Sequence, residues 1–177
     1  MQKITPFLWF NDQAEEAANF YVSVFSTRRG ADSDPGPSKV VNIARYGTAG
    51  PGTPGTVMTV SFLLAGQEFT ALNGGAQPFT FDESISFVVN CQSQEEVDEL
   101  WAAFTKGGEE GPCGWLKDRY GLSWQIVPTR LTELLTDPNA EKSQRVMQAM
   151  LQMKKIDIAT LERARDEESE ATEELRR

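Results

Sequence analysis

The chain has 177 residues, enough to bury one sizeable core or two small modules sharing one, without help from disulfides. Its 26 acidic side chains outnumber 17 basic ones, giving a formal charge of -9, and no Lys/Arg stripe runs along it, which argues against nucleic acid as a partner. It contains no histidine, so Ser-His-Asp and Cys-His catalysis within this chain are excluded and the commonest transition-metal ligand is missing.

Residues 1–6 lack the apolar stretch of a secretory signal, and no run of about eighteen apolar residues could span a bilayer, so a cytoplasmic protein is expected. Residues 4–10 read as a short apolar strand. A helical pattern follows, with Ala14, Ala17, Tyr21 and Val24 on one face, and Asp12 with Glu15 has the form of a capping box at its start. The segment 27–39, rich in Gly, Pro, Ser and Asp, predicts a surface loop. Strands are expected at 40–46, 57–64 and 68–72, the first two separated by the Gly/Pro-rich 47–55 and the last two joined tightly through Ala65-Gly66-Gln67.

A second copy of the pattern begins with a strand at 85–89. Ser93 with Glu96 makes another capping box, and Val97, Leu100, Trp101 and Phe104 form the helix face, stopped by Gly107-Gly108. Setting Glu15-Glu16 on Glu95-Glu96 places Phe7 on Phe87, Ala17 on Val97, Tyr21 on Trp101 and Val24 on Phe104, 80 residues apart throughout, which points to internal duplication. Residues 111–117 and 122–127 flank Asp118-Arg119-Tyr120-Gly121, where Asp first and Gly last fit a type I turn. The strand around Glu109-Glu110 is weakly defined.

The expected class is α+β, with two βαβββ modules at 1–78 and 79–130 and a helical extension at 131–177. Within the extension, 141–154 predicts a helix whose stripe of Val146, Met147, Met150, Leu151 and Met153 must dock on the modules or on a second subunit. Asp157 starts a short helix, and 163–177, lacking an apolar face, reads as a solvated helix or frayed tail. Cys91 and Cys113 stand in no CxxC or zinc-ribbon spacing and read as buried free thiols.

The segments Thr5-Pro6-Phe7-Leu8-Trp9-Phe10, Ala17-Ala18-Asn19-Phe20-Tyr21, Leu72-Asn73-Gly74-Gly75, Ile85-Ser86-Phe87-Val88-Val89 with Glu95-Glu96-Val97, and the run from Cys113-Gly114-Trp115 through Lys117-Asp118-Arg119-Tyr120-Gly121-Leu122-Ser123-Trp124-Gln125 stand together. In these segments the chain resembles the PhnB-like proteins. Such proteins carry the domain name 3-demethylubiquinone-9 3-methyltransferase, within the glyoxalase, bleomycin resistance and extradiol dioxygenase (vicinal oxygen chelate) superfamily. The resemblance implies that each module curls its sheet into a half-open, glyoxalase-like cup. It also implies a divalent metal held by His, Glu or Gln on first and last strands. The matching positions here are Thr5 or Pro6 and Ser84 on first strands, and Thr70 and Gln125 on last strands. One neutral amide among hydroxyls is a poor transition-metal set, so no metal and no cofactor are expected.

The matching segments offer Trp9, Phe20, Asn73, Trp115, Tyr120, Trp124 and Gln125 as pocket candidates for a small organic ligand, the alternative for each aromatic being core or dimer packing. A methyltransferase, as the domain name suggests, would call for a glycine-rich turn after the first strand, where Asn11-Asp12-Gln13 stands instead. A non-catalytic sequestering or structural homodimer is the third reading. For proton transfer the candidates are Asp118, Lys117, Glu109 and Glu110, with turn capping the stronger role for Asp118; Cys113 would need a nearby cation to act as a nucleophile.

Overall fold

The computed structural model describes residues 2–26 and 36–167, and the chain divides into two compact units, Met1–Thr80 and Phe81–Arg177. In the first unit, β1 (Phe7–Phe10), α1 (Ala14–Ser26), β2 (Lys39–Arg45), β3 (Val57–Leu64) and β4 (Gln67–Asn73) follow in chain order. Their four strands lie in the order β1-β4-β3-β2, with β1 parallel to β4 and the remaining pairs antiparallel. The β3–β4 connection is a two-residue turn in which Ala65 and Gly66 both have positive φ (47° and 79°), the handedness a tight hairpin demands.

Strand alternation splits this sheet into two faces. Leu8, Phe10, Val60, Phe62, Phe69 and Ala71 are buried under α1, whose own buried face is Ala14, Ala17, Ala18, Tyr21 and Val24. Three alanines let the helix come close, and Tyr21 stacks on Phe62, which stacks on Phe69. The proposed capping box at Asp12 is not how the helix begins. α1 starts at Ala14, and its amide donates to Asn73 Oδ1 at 2.7 Å, a cap supplied from the end of β4.

The second unit repeats the plan with β5 (Phe87–Cys91), α2 (Gln94–Thr105), β6 (Glu109–Glu110), β7 (Trp115–Lys117) and β8 (Ser123–Pro128), in the order β5-β8-β7-β6. Strand β5 is parallel to β8, and β7 runs antiparallel to both β6 and β8. Ser93 caps α2 through the Glu96 amide, while the Glu96 carboxylate accepts from Gln92 N, one residue earlier than the capping box predicts. Its buried face, Val97, Leu100, Trp101 and Phe104, is the one expected, and Phe104 stacks on Trp124 at 4.6 Å.

The repeat differs from the predicted alignment in its strands. Three residues join β1 to α1 but two join β5 to α2, so Leu8 answers to Val89 and Phe10 to Cys91, each one residue beyond the helix offset. Phe7 therefore matches Val88, not Phe87: both are more than half or half exposed (59% and 50%), whereas Phe87 packs against Trp124.

β8 leads directly into α3 (Thr129–Leu135), followed by α4 (Ala140–Leu151) and α5 (Ile158–Asp166), which starts at an Asp157 cap. Leu131, Leu134, Val146, Ile156 and Leu161 form a small core with Met150 and Met153 against it. Three of the five stripe residues, Val146, Met150 and Met153, are thus covered within the chain, while Met147 and Leu151 remain 40% and 57% exposed. α3 lies mostly within the expected helical extension at 131–177, with Leu131, Leu134 and Leu135 at helical spacing, and begins two residues before it. Of the expected loop 27–39 and tail 163–177, residues 27–35 and 168–177 lie outside the described residues. No helix among the described residues is long and apolar enough to cross a membrane.

Candidate functional site

In the second unit, the sheet face opposite α2 carries Glu109 of β6, Trp115 and Lys117 of β7, and Ser123 and Gln125 of β8. Their placement follows from register: Trp115 lies opposite Gln125, Lys117 opposite Ser123, and Glu109 opposite Lys117 on its other side. A cavity of about 320 Å³ opens over Glu109, Trp115, Lys117 and Ser123, with Trp115, Leu116 and Pro112 as apolar wall and Glu83 on the approach to β5; Gln125 shares the face but does not line the cavity.

Three of the four charged side chains lining this cavity, Glu83, Glu110 and Lys117, are tied. Lys117 Nζ lies 2.6 Å from Glu83 Oε1. The hydrogen bond from the ammonium holds the Glu83 carboxyl below the ordinary carboxylate range, and the same bond raises Lys117 above an ordinary lysine. Glu110, whose neighbour in register is the buried Leu116, accepts from Trp101 Nε1 at 3.0 Å and pairs with Lys154; those two bonds lower its pKa in that order. Each shift moves its group away from neutrality, which suits fixed charges and not proton exchange at physiological pH. Ser123 faces Lys117 across the hairpin that the Asp118–Gly121 turn predicts, whereas Glu83 carries no local sequence signal and only the fold brings it beside Lys117.

Trp115 and Gln125 share this face, and Gln125 Nε2 donates to Ser86 Oγ at 2.9 Å. Trp124 points the other way: it is 2% exposed, stacked on Phe104, and donates to Asp118 Oδ2 at 2.9 Å. Asp118 Oδ1 accepts from the amides of Tyr120 and Leu122, so this carboxylate is the hub of the β7–β8 hairpin and Tyr120 is one of its turn residues. Cys113 has positive φ (55°), and its amide donates to Met153 O while Gly114 N donates to Lys154 O; the pair splices the β7 entry to the segment that follows α4.

The first unit places its candidates differently. Trp9 lies over the Gly74-Gly75 turn, donates to Gly75 O at 2.9 Å and meets Phe79 edge-on. Phe20 sits on α1 beside Tyr21, on the helix side of the sheet and not with Trp9. Asn73 is fully engaged: Oδ1 caps Ala14, Nδ2 donates to Val57 O, and its carbonyl accepts from Tyr46 Oη at 2.6 Å. It borders an open crevice of about 560 Å³ at the start of α1, shared with Tyr46, Asp12 and Glu15.

Residues 2–127 match the sequence profile of the 3-demethylubiquinone-9 3-methyltransferase family. The chain belongs to this family. Among solved structures, the PhnB protein from Bacillus cereus, described by the same methyltransferase name, is 38% identical, with 72% of this chain and 100% of that chain covered at a TM-score of 0.60. The PA1353 protein from Pseudomonas aeruginosa shares the fold at 20% identity, covering 72% of this chain and 98% of that one, with a TM-score of 0.56. A glyoxalase/bleomycin resistance protein from Albidiferax ferrireducens T118 is 19% identical over 72% of this chain and 98% of that one, with a TM-score of 0.43. None of the curated proteins matches.

In this 3-demethylubiquinone-9 3-methyltransferase family member, the residues at the positions where the sequence resemblance implies a metal do not fit a divalent transition ion. Register moves the first-strand position of the second unit from Ser84 to Ser86, the residue that matches Thr5, and Ser84 instead bonds to Asp82. Thr5 and Thr70 then stand in the first unit, Ser86 and Gln125 in the second, with the Gln125 amide donating to Ser86. Hydroxyls and one neutral amide supply no anionic or imidazole donor. Among the described residues, no three His, Cys, Asp or Glu side chains gather to replace them.

Proposed function

We propose that the chain binds a small organic ligand on the second unit's sheet face, against Trp115, Lys117 and Ser123, and does so without a divalent metal. The observation that carries this reading is the cavity itself, about 320 Å³ with an indole wall and an ion-paired floor, within the size range of small-molecule sites. Tied charges that stay ionised near neutrality orient a ligand better than they exchange protons with it.

Methyl transfer is the reading the family name suggests. Against it stand two βαβββ sheets in place of a doubly wound one, and Asn11-Asp12-Gln13 where a glycine-rich turn would receive a nucleotide-like cofactor. The chain is also proposed to act as a cytoplasmic homodimer, with the exposed Met147 and Leu151 of α4 as candidate contacts, to be measured by light scattering after size exclusion.

The test is a thermal-shift screen with aromatic metabolites, S-adenosylmethionine and the chlorides of zinc, manganese and nickel. An aromatic metabolite should raise the melting temperature of the natural chain and lose that effect in Trp115→Ala. A rise with S-adenosylmethionine would restore methyl transfer, and a rise with one metal that Gln125→Ala abolishes would restore metal chemistry.

A further inference from the structure

Resting on that reading of the cavity, we infer that its ligand is a cation joined to an apolar ring. Charge on the free face of β6 and β7 does not cancel. Lys117 is neutralised by Glu83 at 2.6 Å, yet Glu109 stands opposite Lys117 in register and adds a second carboxylate. Apart from its field on Lys117, Glu109 makes no hydrogen bond or ion pair among the described residues, whereas Glu110 is consumed by Trp101 and Lys154. The face is therefore left with one negative charge beside the half-buried indole of Trp115, which lines the same cavity.

An alkylammonium or aromatic amine gains from both features, since its positive end is attracted by the indole ring and by the carboxylate together. A neutral ring gains only the contact with Trp115. An anion would have to draw Lys117 away from Glu83 while approaching Glu109. With about 320 Å³ available, the occupant is a single ring with a short substituent.

Three probes of similar size separate these cases: benzyltrimethylammonium, benzyl alcohol and benzoate, titrated calorimetrically into the full chain. The ammonium should bind about fivefold or more tightly than the alcohol, the ratio expected of one exposed cation–π contact, and benzoate weakest. Glu109→Gln, a change on an exposed edge strand, should bring the ammonium down to the alcohol's affinity while leaving the alcohol unaffected. Trp115→Leu should weaken all three. Equal binding of alcohol and ammonium would overturn the charge preference and leave the cavity as a binding site. Benzoate binding tightest, with loss in Lys117→Gln, would reverse the sign of the ligand. Failure of all three to bind would overturn the inference and the site together.

Discussion

The indole Nε1 of Trp124 donates to Asp118 Oδ2 at 2.9 Å, so the central ring of the second core is anchored by a carboxylate that is itself 2% exposed. The other oxygen accepts two backbone amides, from Tyr120 and Leu122. Asp118→Ala would leave three N–H groups without their acceptor, for a loss of about 2–4 kcal/mol in urea denaturation. Asp118→Asn keeps an oxygen for the two amides but sets an NH2 against the indole, and should fall between. A loss under about 0.5 kcal/mol for the alanine variant would show that water replaces the carboxylate.

This pair also marks what the sequence could and could not disclose. The helix faces were legible, because Val97, Leu100, Trp101 and Phe104 repeat the spacing of α1 and are buried as expected. The strand faces were not. A connection shorter by one residue shifts β5 against α2, and in a strand one residue exchanges the two faces, which is why Phe87 and Ser84 were matched wrongly. Trp124 and Trp115 both belong to the family-like run, yet strand alternation sends the first into the core and the second to the cavity. The Glu83–Lys117 pair joins residues 34 positions apart and has no local pattern at all.

Trp9 and Gly74 are matched by shape. A Cβ at Gly74 would overlap the Trp9 ring, so Gly74→Ala must displace the indole and break its bond to Gly75 O. Overpacking of this kind costs about 1–3 kcal/mol. In a Trp9→Ala background the ring is absent and the same glycine change should cost almost nothing further. Chemical denaturation of the four chains in the cycle reads this coupling; additive losses would mean the indole and the turn are independent.

Asn73 links three segments through one side chain and its carbonyl. Asn73→Ala removes the α1 cap and frees the Val57 carbonyl, with an expected loss of about 1–2 kcal/mol. Amide hydrogen exchange should locate the effect in the first turn of α1, with the Ala14 amide losing protection while the last turn keeps it. Uniform loss across the helix would instead indicate that the whole unit has loosened.

The Glu83–Lys117 pair predicts how stability follows pH. Glu83 has a folded pKa below its ordinary value of 4.5, so its contribution is complete above that value and is lost as pH falls through the folded one. Lys117 is raised above its ordinary 10.5, so its contribution is complete below that value and is lost as pH rises through the folded one. Glu83→Gln should accordingly melt below the natural chain at pH 7, with the gap closing in acid below 4.5 and again in base above 10.5. Asp82, Asp98, Glu110 and Asp157 are lowered in the same direction by their own hydrogen-bond donors, so the natural chain loses further stability in acid whatever happens at Glu83. The informative quantity is therefore the difference between the two melting curves. A difference that stays constant from pH 7 to about pH 3 would mean that Glu83 gains nothing from Lys117 in solution.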